Sequence, residues 1–211
     1  MIGFLGGTFD PIHNGHLHAA RAAAAALELD WVGLILAARP YHRDAQASVA
    51  HRWAMLTLAV EGDPVLRADA REMHRDAVSY TVDTLHELRA EYGTATPLVW
   101  LVGWDAYRTL ASWHRWDELI DLAHLGVLRR PGAEALDERM SEFTTTHCVS
   151  ELTRLRARPA GYVTFITASM LPISATQVRA RLKGGESADD LLPAAVSTYI
   201  RAHDLYGGSP A

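Results

Sequence analysis

Along the chain, short apolar runs alternate with segments whose apolar residues recur every three or four positions. The runs Ile2–Leu5, Trp31–Leu36, Leu98–Val102, Leu125–Leu128 and Tyr162–Ile166 are four to six residues long, the length of strands buried on both faces. Between them, Leu17–Leu29 is alanine-rich and Val49–Val60 carries apolar residues at helical intervals. Val82, Leu85, Leu88 and Tyr92 mark one face of a further helix, and Val196, Tyr199 and Ile200 mark another near the end. Strands alternating with helices imply right-handed crossovers and a mostly parallel sheet covered on both sides. The expected fold is therefore α/β, a doubly wound Rossmann-like sheet in one unit spanning 1–211, with a small helical part at 172–206. Residues 131–160 are polar and rich in Glu, Arg and Thr, so that a helix with flanking loops is as far as the pattern goes. The closing "GGSPA" should fray.

Bulk properties narrow the partners. Twenty Lys and Arg against 25 Asp and Glu leave a formal charge of −5, which argues against a broad nucleic-acid surface. An anionic ligand must then be met by locally concentrated donors. Lys183 is the only lysine, so none is available in the N-terminal half for a phosphate site. Cys148 stands alone, which excludes an intramolecular disulfide and disfavours a cysteine-based zinc site. The N-terminus lacks the regions of a secretory signal and the apolar run Ala22–Leu27 is too short to span a bilayer, so cytoplasmic location without membrane contact is expected. A homo-oligomer stays open.

The chemistry concentrates in "GGTFDPIHNGH", residues 6–16, directly after the first strand. In open α/β sheets, ligands sit beyond the carboxyl ends of strands, beside helix N-termini. Gly6 and Gly7 allow close backbone approach there, and the helix starting near Gly15–His16 offers unpaired N–H groups and its positive dipole end. His13 and His16, three residues apart in its first turn, can face one way toward phosphate oxygens. Neither G-x-G-x-x-G nor G-x-x-x-x-G-K-[ST] occurs in this loop. Far along the chain, "PISATQVRARL" (172–182) places Ser174 and Gln177 as a capping box, with Arg179 within reach of the same helix start. The histidines His51, His74, His86 and His124 lack metal-ligand spacing and read as surface or helix-face residues, and Asp189-Asp190 as helix N-terminal charge.

"GGTFDPIHNGH" resembles the signature of the nucleotidylyltransferase superfamily, and Ser174-x-x-x-x-Arg179 resembles its second phosphate motif. "SYTVDTL" (79–85), "LVGWDAY" (101–107), "SWHRWDEL" (112–119), "LRRPG" (128–132) and the C-terminal stretch from "ISATQVRARL" to "HDLYG" narrow the resemblance to bacterial nicotinate-nucleotide adenylyltransferases. The resemblance implies the nucleotidylyltransferase fold and the joining of ATP to nicotinate mononucleotide, giving deamido-NAD and pyrophosphate. It places ATP on Gly6, Gly7, Thr8, Phe9, Gly103, Ser174 and Arg179, with Asp105 on the ribose. His16 and His13 stabilise the phosphoryl charge, and Mg2+ travels on the triphosphate with no protein metal site. On the mononucleotide side it implies Trp113 stacking on the pyridine ring and Thr81 meeting the carboxylate beside His114, with His42, Arg43 and Arg130 facing phosphate or nucleotide.

"ILAARPYHR" departs from the family pattern. Leu36-Ala37 replaces a Pro–polar pair and Tyr41 a proline, with Arg39 as a substitute contact. Nicotinamide mononucleotide, phosphopantetheine or a cytidylyl acceptor keeps the chemistry and changes the substrate. A nucleotide-sensing module and an RNA-binding relative of class I tRNA synthetases are the rivals of other classes.

Overall fold

The computed structural model describes residues 1–40, 45–129, 134–167 and 170–207. Six parallel strands build the sheet: β1 (Ile2–Gly7), β2 (Val32–Leu36), β3 (Leu66–Asp69), β4 (Leu98–Gly103), β5 (His124–Arg129) and β6 (Val163–Thr167), ordered β3-β2-β1-β4-β5-β6. The order reverses between β1 and β4, so their carboxyl ends open a crevice at the point where such sheets bind ligands. Both faces of the strands are apolar because both are covered. Val99 and Leu101 join one core layer, while Leu98, Trp100 and Val102 join the other.

The first layer is completed by α1 (Asn14–Leu27), α2 (Val49–Val60), α8 (Ala175–Lys183) and α9 (Ala194–Ala202), through Leu17, Ala20, Leu56, Val178 and Val196. The second is completed by α3 (Thr81–Tyr92), α4 (Trp104–Arg108), α5 (Leu119–Leu122) and α6 (Glu138–His147), through Val82, Leu85, Tyr107, Leu119 and Met140. The uncertain stretch holds two helices, α6 and α7 (Leu152–Arg156). Asp137 caps α6, its carboxylate accepting the Met140 N–H at 2.8 Å.

Three readings of the sequence need correction. The edge strand β3, "LRAD", went unseen because only Leu66 of its four residues is buried. His124 is a core residue of β5 rather than a surface one. Its Nδ1 accepts the Tyr162 N–H at 3.2 Å, and its Nε2 lies 2.9 Å from the Arg158 carbonyl, so the ring bridges β5 to the segment before β6. The Asp189-Asp190 pair serves ion pairs instead of a helix start. Asp189 accepts from Ser197 and Arg201 of α9, and Asp190 from Arg181. Among the described residues, no helix is long and apolar enough to cross a membrane.

Candidate active site

The crevice at the ends of β1 and β4 is a cavity of about 250 Å³. Its walls bring together Gly6 and Gly7 at the end of β1, Thr8 of the first loop and Gly103 at the end of β4. Thr81, Trp113 and His114 close the opposite side, so seven residues singled out from sequence share one cleft. Thr81 opens α3 as its first helical residue. Tyr80 occupies the cap position, so Thr81 does not itself cap α3. His114 stacks on Tyr80, with ring centroids 4.3 Å apart. Trp113 is half-buried and lines the cleft, the kind of aromatic side chain that a flat ligand ring can stack on.

Beside this cleft the first loop turns into α1. Gly6 and Gly7 belong to β1 itself, and what forbids a side chain there is packing. A Cβ on Gly6 would stand 2.8 Å from the Trp100 ring, and one on Gly7 2.7 Å from the Phe9 ring. Phe9 adopts a left-handed backbone, φ 47°, and its buried ring meets His16 edge-on at 5.1 Å. His13 occupies the cap position of α1, and its ring stacks on His16 with centroids 3.6 Å apart. Gly15 has no room for a side chain, since a Cβ would lie 3.0 Å from His13 Nδ1 and 3.3 Å from Cβ of Ile173. The glycine of His-x-Gly-His thus lets the imidazole and the residue preceding Ser174 crowd one helical turn.

The protonation of the pair follows from its contacts. His16 Nδ1 accepts the backbone N–H of His13 at 3.3 Å, so the proton of the neutral ring sits on Nε2, a donor for an oxyanion. Burial pulls the His13 imidazole down to about 4. Burial, and then the neighbouring His13, holds His16 well below the ordinary histidine range. Both rings are therefore neutral donors near pH 7. His13 Nδ1 is buried, and no polar group among the described residues pairs with it.

The second motif reaches the same place. Ser174 caps α8, its hydroxyl accepting the Gln177 N–H at 3.2 Å. Arg179 leans back along the helix and donates to the backbone carbonyl of Asp10 at 2.6 Å. Asp105 stands exposed in the first turn of α4, immediately after Gly103. The guanidinium of Arg39 pairs with Asp76 at 3.0 Å, while its main chain exchanges bonds with Ser79. His42, Arg43 and Arg130 lie outside the described residues.

Three supporting groups escaped the sequence reading. Arg52, 1% exposed, donates to the carbonyls of Thr8 and Ala37 at 2.8 Å, of Ala38 at 3.0 Å and of Ala47 at 3.3 Å, tying the first loop to the residues after β2 and to those just before α2. An arginine on the apolar stripe Val49, Met55, Leu56 was the available signal. Glu72 lines the cleft and is buried; its Oε1 accepts the Thr84 hydroxyl at 2.6 Å, and that hydroxyl accepts from Arg75 at 2.6 Å. Burial pushes the Glu72 carboxyl up from the usual range, against the opposing pull of Thr84, Ser79 and Arg75. Asp10 is buried too, its carboxylate accepting the Gln46 N–H at 2.7 Å and the Ala47 N–H at 3.1 Å.

The arrangement offers neutral imidazole donors and a helix N-terminus at one end and an aromatic slot at the other. That suits a phosphate-bearing ligand whose flat ring enters the slot. Among the described residues, no group of three or more His, Cys, Asp or Glu side chains is placed to hold a metal ion.

The cytidylyltransferase-like family model matches residues 4–181. A Pseudomonas entomophila protein named "Probable nicotinate-nucleotide adenylyltransferase" is 45% identical over 210 residues, covering 99% of this chain and 95% of that one. A protein of the same name from Pseudomonas aeruginosa strain PAO1 is 44% identical, over 97% of this chain and 96% of that one. Among solved structures, the Plasmodium falciparum nicotinic acid mononucleotide adenylyltransferase complexed with NaAD matches with a TM-score of 0.73, at 18% identity, over 97% of this chain and 96% of that one. At that identity the likeness speaks for the fold.

Proposed function

Since this chain belongs to the cytidylyltransferase-like family and, within it, to the nicotinate-nucleotide adenylyltransferases, we propose that it transfers the adenylyl group of ATP to nicotinate mononucleotide. The observation that carries the site assignment is the stacked His13–His16 pair at the start of α1, beside a cleft that ends in Trp113 and Thr81.

In this reading the 5′-phosphate of the mononucleotide attacks the α-phosphorus of ATP in line. The new P–O bond forms as the bond to pyrophosphate breaks, and pyrophosphate leaves with the electron pair. The attacking phosphate is already ionised near neutral pH, so the protein's task is positioning and charge stabilisation. His16 Nε2–H donates to the α-phosphoryl oxygens, and His13 and the N–H groups opening α1 meet the neighbouring phosphates. Arrival of the triphosphate favours protonation of His13, whose burial keeps it neutral beforehand, while His16 Nδ1 stays the acceptor of the His13 N–H. Ser174 and Arg179 hold the departing phosphates, and Asp105 accepts from the ribose hydroxyls. Gly6, Gly7, Thr8, Phe9 and Gly103 form the floor and edge of the nucleotide site.

Trp113 stacks on the pyridine ring, and backbone N–H groups at the start of α3, with Thr81 and His114, receive its carboxylate. His42, Arg43 and Arg130 belong to the same proposal on the mononucleotide phosphate. Mg2+ enters as part of the ATP complex, held by phosphate oxygens and water, which accords with its preference for such ligands. Residues 1–211 act as one unit in which 172–206 supply the second phosphate motif; the packing of α2 on α9, where His51 Nδ1 lies 3.0 Å from the Tyr199 hydroxyl, supports this.

Pyrophosphate release with ATP and a panel of acceptors tests the reading. Nicotinate mononucleotide should give the highest kcat/KM. A preference for nicotinamide mononucleotide overturns the acid assignment, and ATP binding without pyrophosphate release from any acceptor overturns catalysis itself.

A further inference from the structure

Beyond α9 the chain reverses sharply. Asp204 and Tyr206 both take left-handed backbones, φ 49° and 64°, and the Leu205 N–H returns to the Ile200 carbonyl at 3.1 Å. This reversal carries Tyr206 back across the molecule. Its hydroxyl donates to Asp10 Oδ1 at 2.7 Å, a contact 196 residues apart in sequence and set inside "GGTFDP".

Asp10 is where several parts of the site converge. The two backbone N–H groups of Gln46 and Ala47 hold its carboxylate, and Tyr206 supplies the third donor. Its own backbone carbonyl is the acceptor for Arg179, at 2.6 Å. On the other side of Phe9, the Thr8 carbonyl is fixed by Arg52. The position of the Asp10 peptide therefore decides where the Arg179 guanidinium rests. Tyr206 suits a permanent donor, because burial and the adjacent carboxylate push its hydroxyl well above the usual tyrosine range.

We infer that Tyr206 is a positioning residue for the ATP side of the site, acting through Asp10 on Arg179. The inference rests on the proposed ATP role of Arg179 and adds the C-terminal reversal as the part that aims it. Without the hydroxyl, a buried carboxylate loses one of three donors and its peptide is free to shift. Arg179 then rests in a different place.

The test is a double-mutant cycle read by calorimetry of Mg·ATP binding in the full chain, with no acceptor present. Tyr206→Phe keeps the ring and should weaken ATP binding about tenfold, while Arg179→Ala weakens it by at least as much. In the Arg179→Ala background, Tyr206→Phe should change the dissociation constant by less than twofold. In steady-state assays the KM for the acceptor should stay within twofold of wild type, which a general loosening of the fold would not allow. Factors that multiply in the double variant, or a Tyr206→Phe protein that binds ATP like wild type, overturn the inference and leave the ATP site standing. An Arg179→Ala protein with unaltered ATP affinity overturns the site assignment and the inference together.

Discussion

Replacing Arg52 by methionine removes the guanidinium that joins three loops and leaves its aliphatic volume largely filled. The carbonyls of Thr8, Ala37, Ala38 and Ala47 lose a charged donor, three of the four contacts being 3.0 Å or shorter. Hydrogen bonds to a charged partner contribute about 1.5–3 kcal/mol each, whereas relieving the burial of a guanidinium returns several kcal/mol. Burial is also what lowers the proton affinity of Arg52 in the folded chain, so the offset is real. With several kcal/mol returned against four carbonyls losing a donor at about 1–3 kcal/mol each, the net loss is about 3 kcal/mol, which in a chain of this length lowers Tm by about 10 °C. Lysine offers three donors from one point and cannot spread them over four carbonyls, so Arg52→Lys should recover only part of the loss. Thermal unfolding followed by circular dichroism reads both variants, and kcat/KM should fall for ATP and acceptor alike, since Thr8 and Ala37 line the cleft. A melting temperature for Arg52→Met within 2 °C of wild type, the scale of less than about 1 kcal/mol, would refute the clamp.

Other outcomes follow from the same contacts. His13 titrates near 6.5 when unfolded and near 4 when folded, so the unfolded chain takes up its proton first as pH falls. Its stabilising contribution is full above pH 6.5 and drains away toward pH 4; between pH 7.5 and 5 urea unfolding should show wild type losing about 2 kcal/mol more than His13→Gln, and parallel curves would contradict this. The Glu72 carboxyl is shifted the other way, so wild type loses stability as pH rises through its folded pKa. Glu72→Gln escapes that loss, and its Tm relative to wild type should rise from pH 4, below the ordinary carboxylate value, to pH 8; a constant gap would sink the idea. Trp113→Ala should raise the acceptor KM about tenfold, the scale of one lost ring stack, with the ATP KM nearly unchanged. Equal changes in both constants would take the pyridine ring off Trp113.

The reach of the sequence differs between the site's functional and supporting parts. The residues proposed to touch ligand sit in short local patterns, and the elements carrying them have strong periodicity; Gly6, Thr8, Thr81 and Trp113 line one cleft. The groups that hold the loops are legible only through distant contacts. Arg52 reads as an ordinary helix arginine until its four carbonyls, from residues 8 to 47, are in place. Tyr206 closes the helical part at 172–206, and nothing near it in sequence announces the bond to Asp10. Edge strand β3 failed for a different reason: its four residues bury one side chain, so no alternation distinguishes them from a loop. His124 shows the same limit, since its core position depends on carbonyls contributed by residues 155 and 158.

The central claim is that the His13–His16 pair stabilises charge at the α-phosphorus during adenylyl transfer. The direct measurement is kcat for deamido-NAD formation by His16→Ala, with its fold verified by circular dichroism. Loss of one oxyanion donor predicts a fall in kcat of about 10²-fold or more with the fold intact. A folded His16→Ala enzyme that turns over at a near-normal rate would contradict the account.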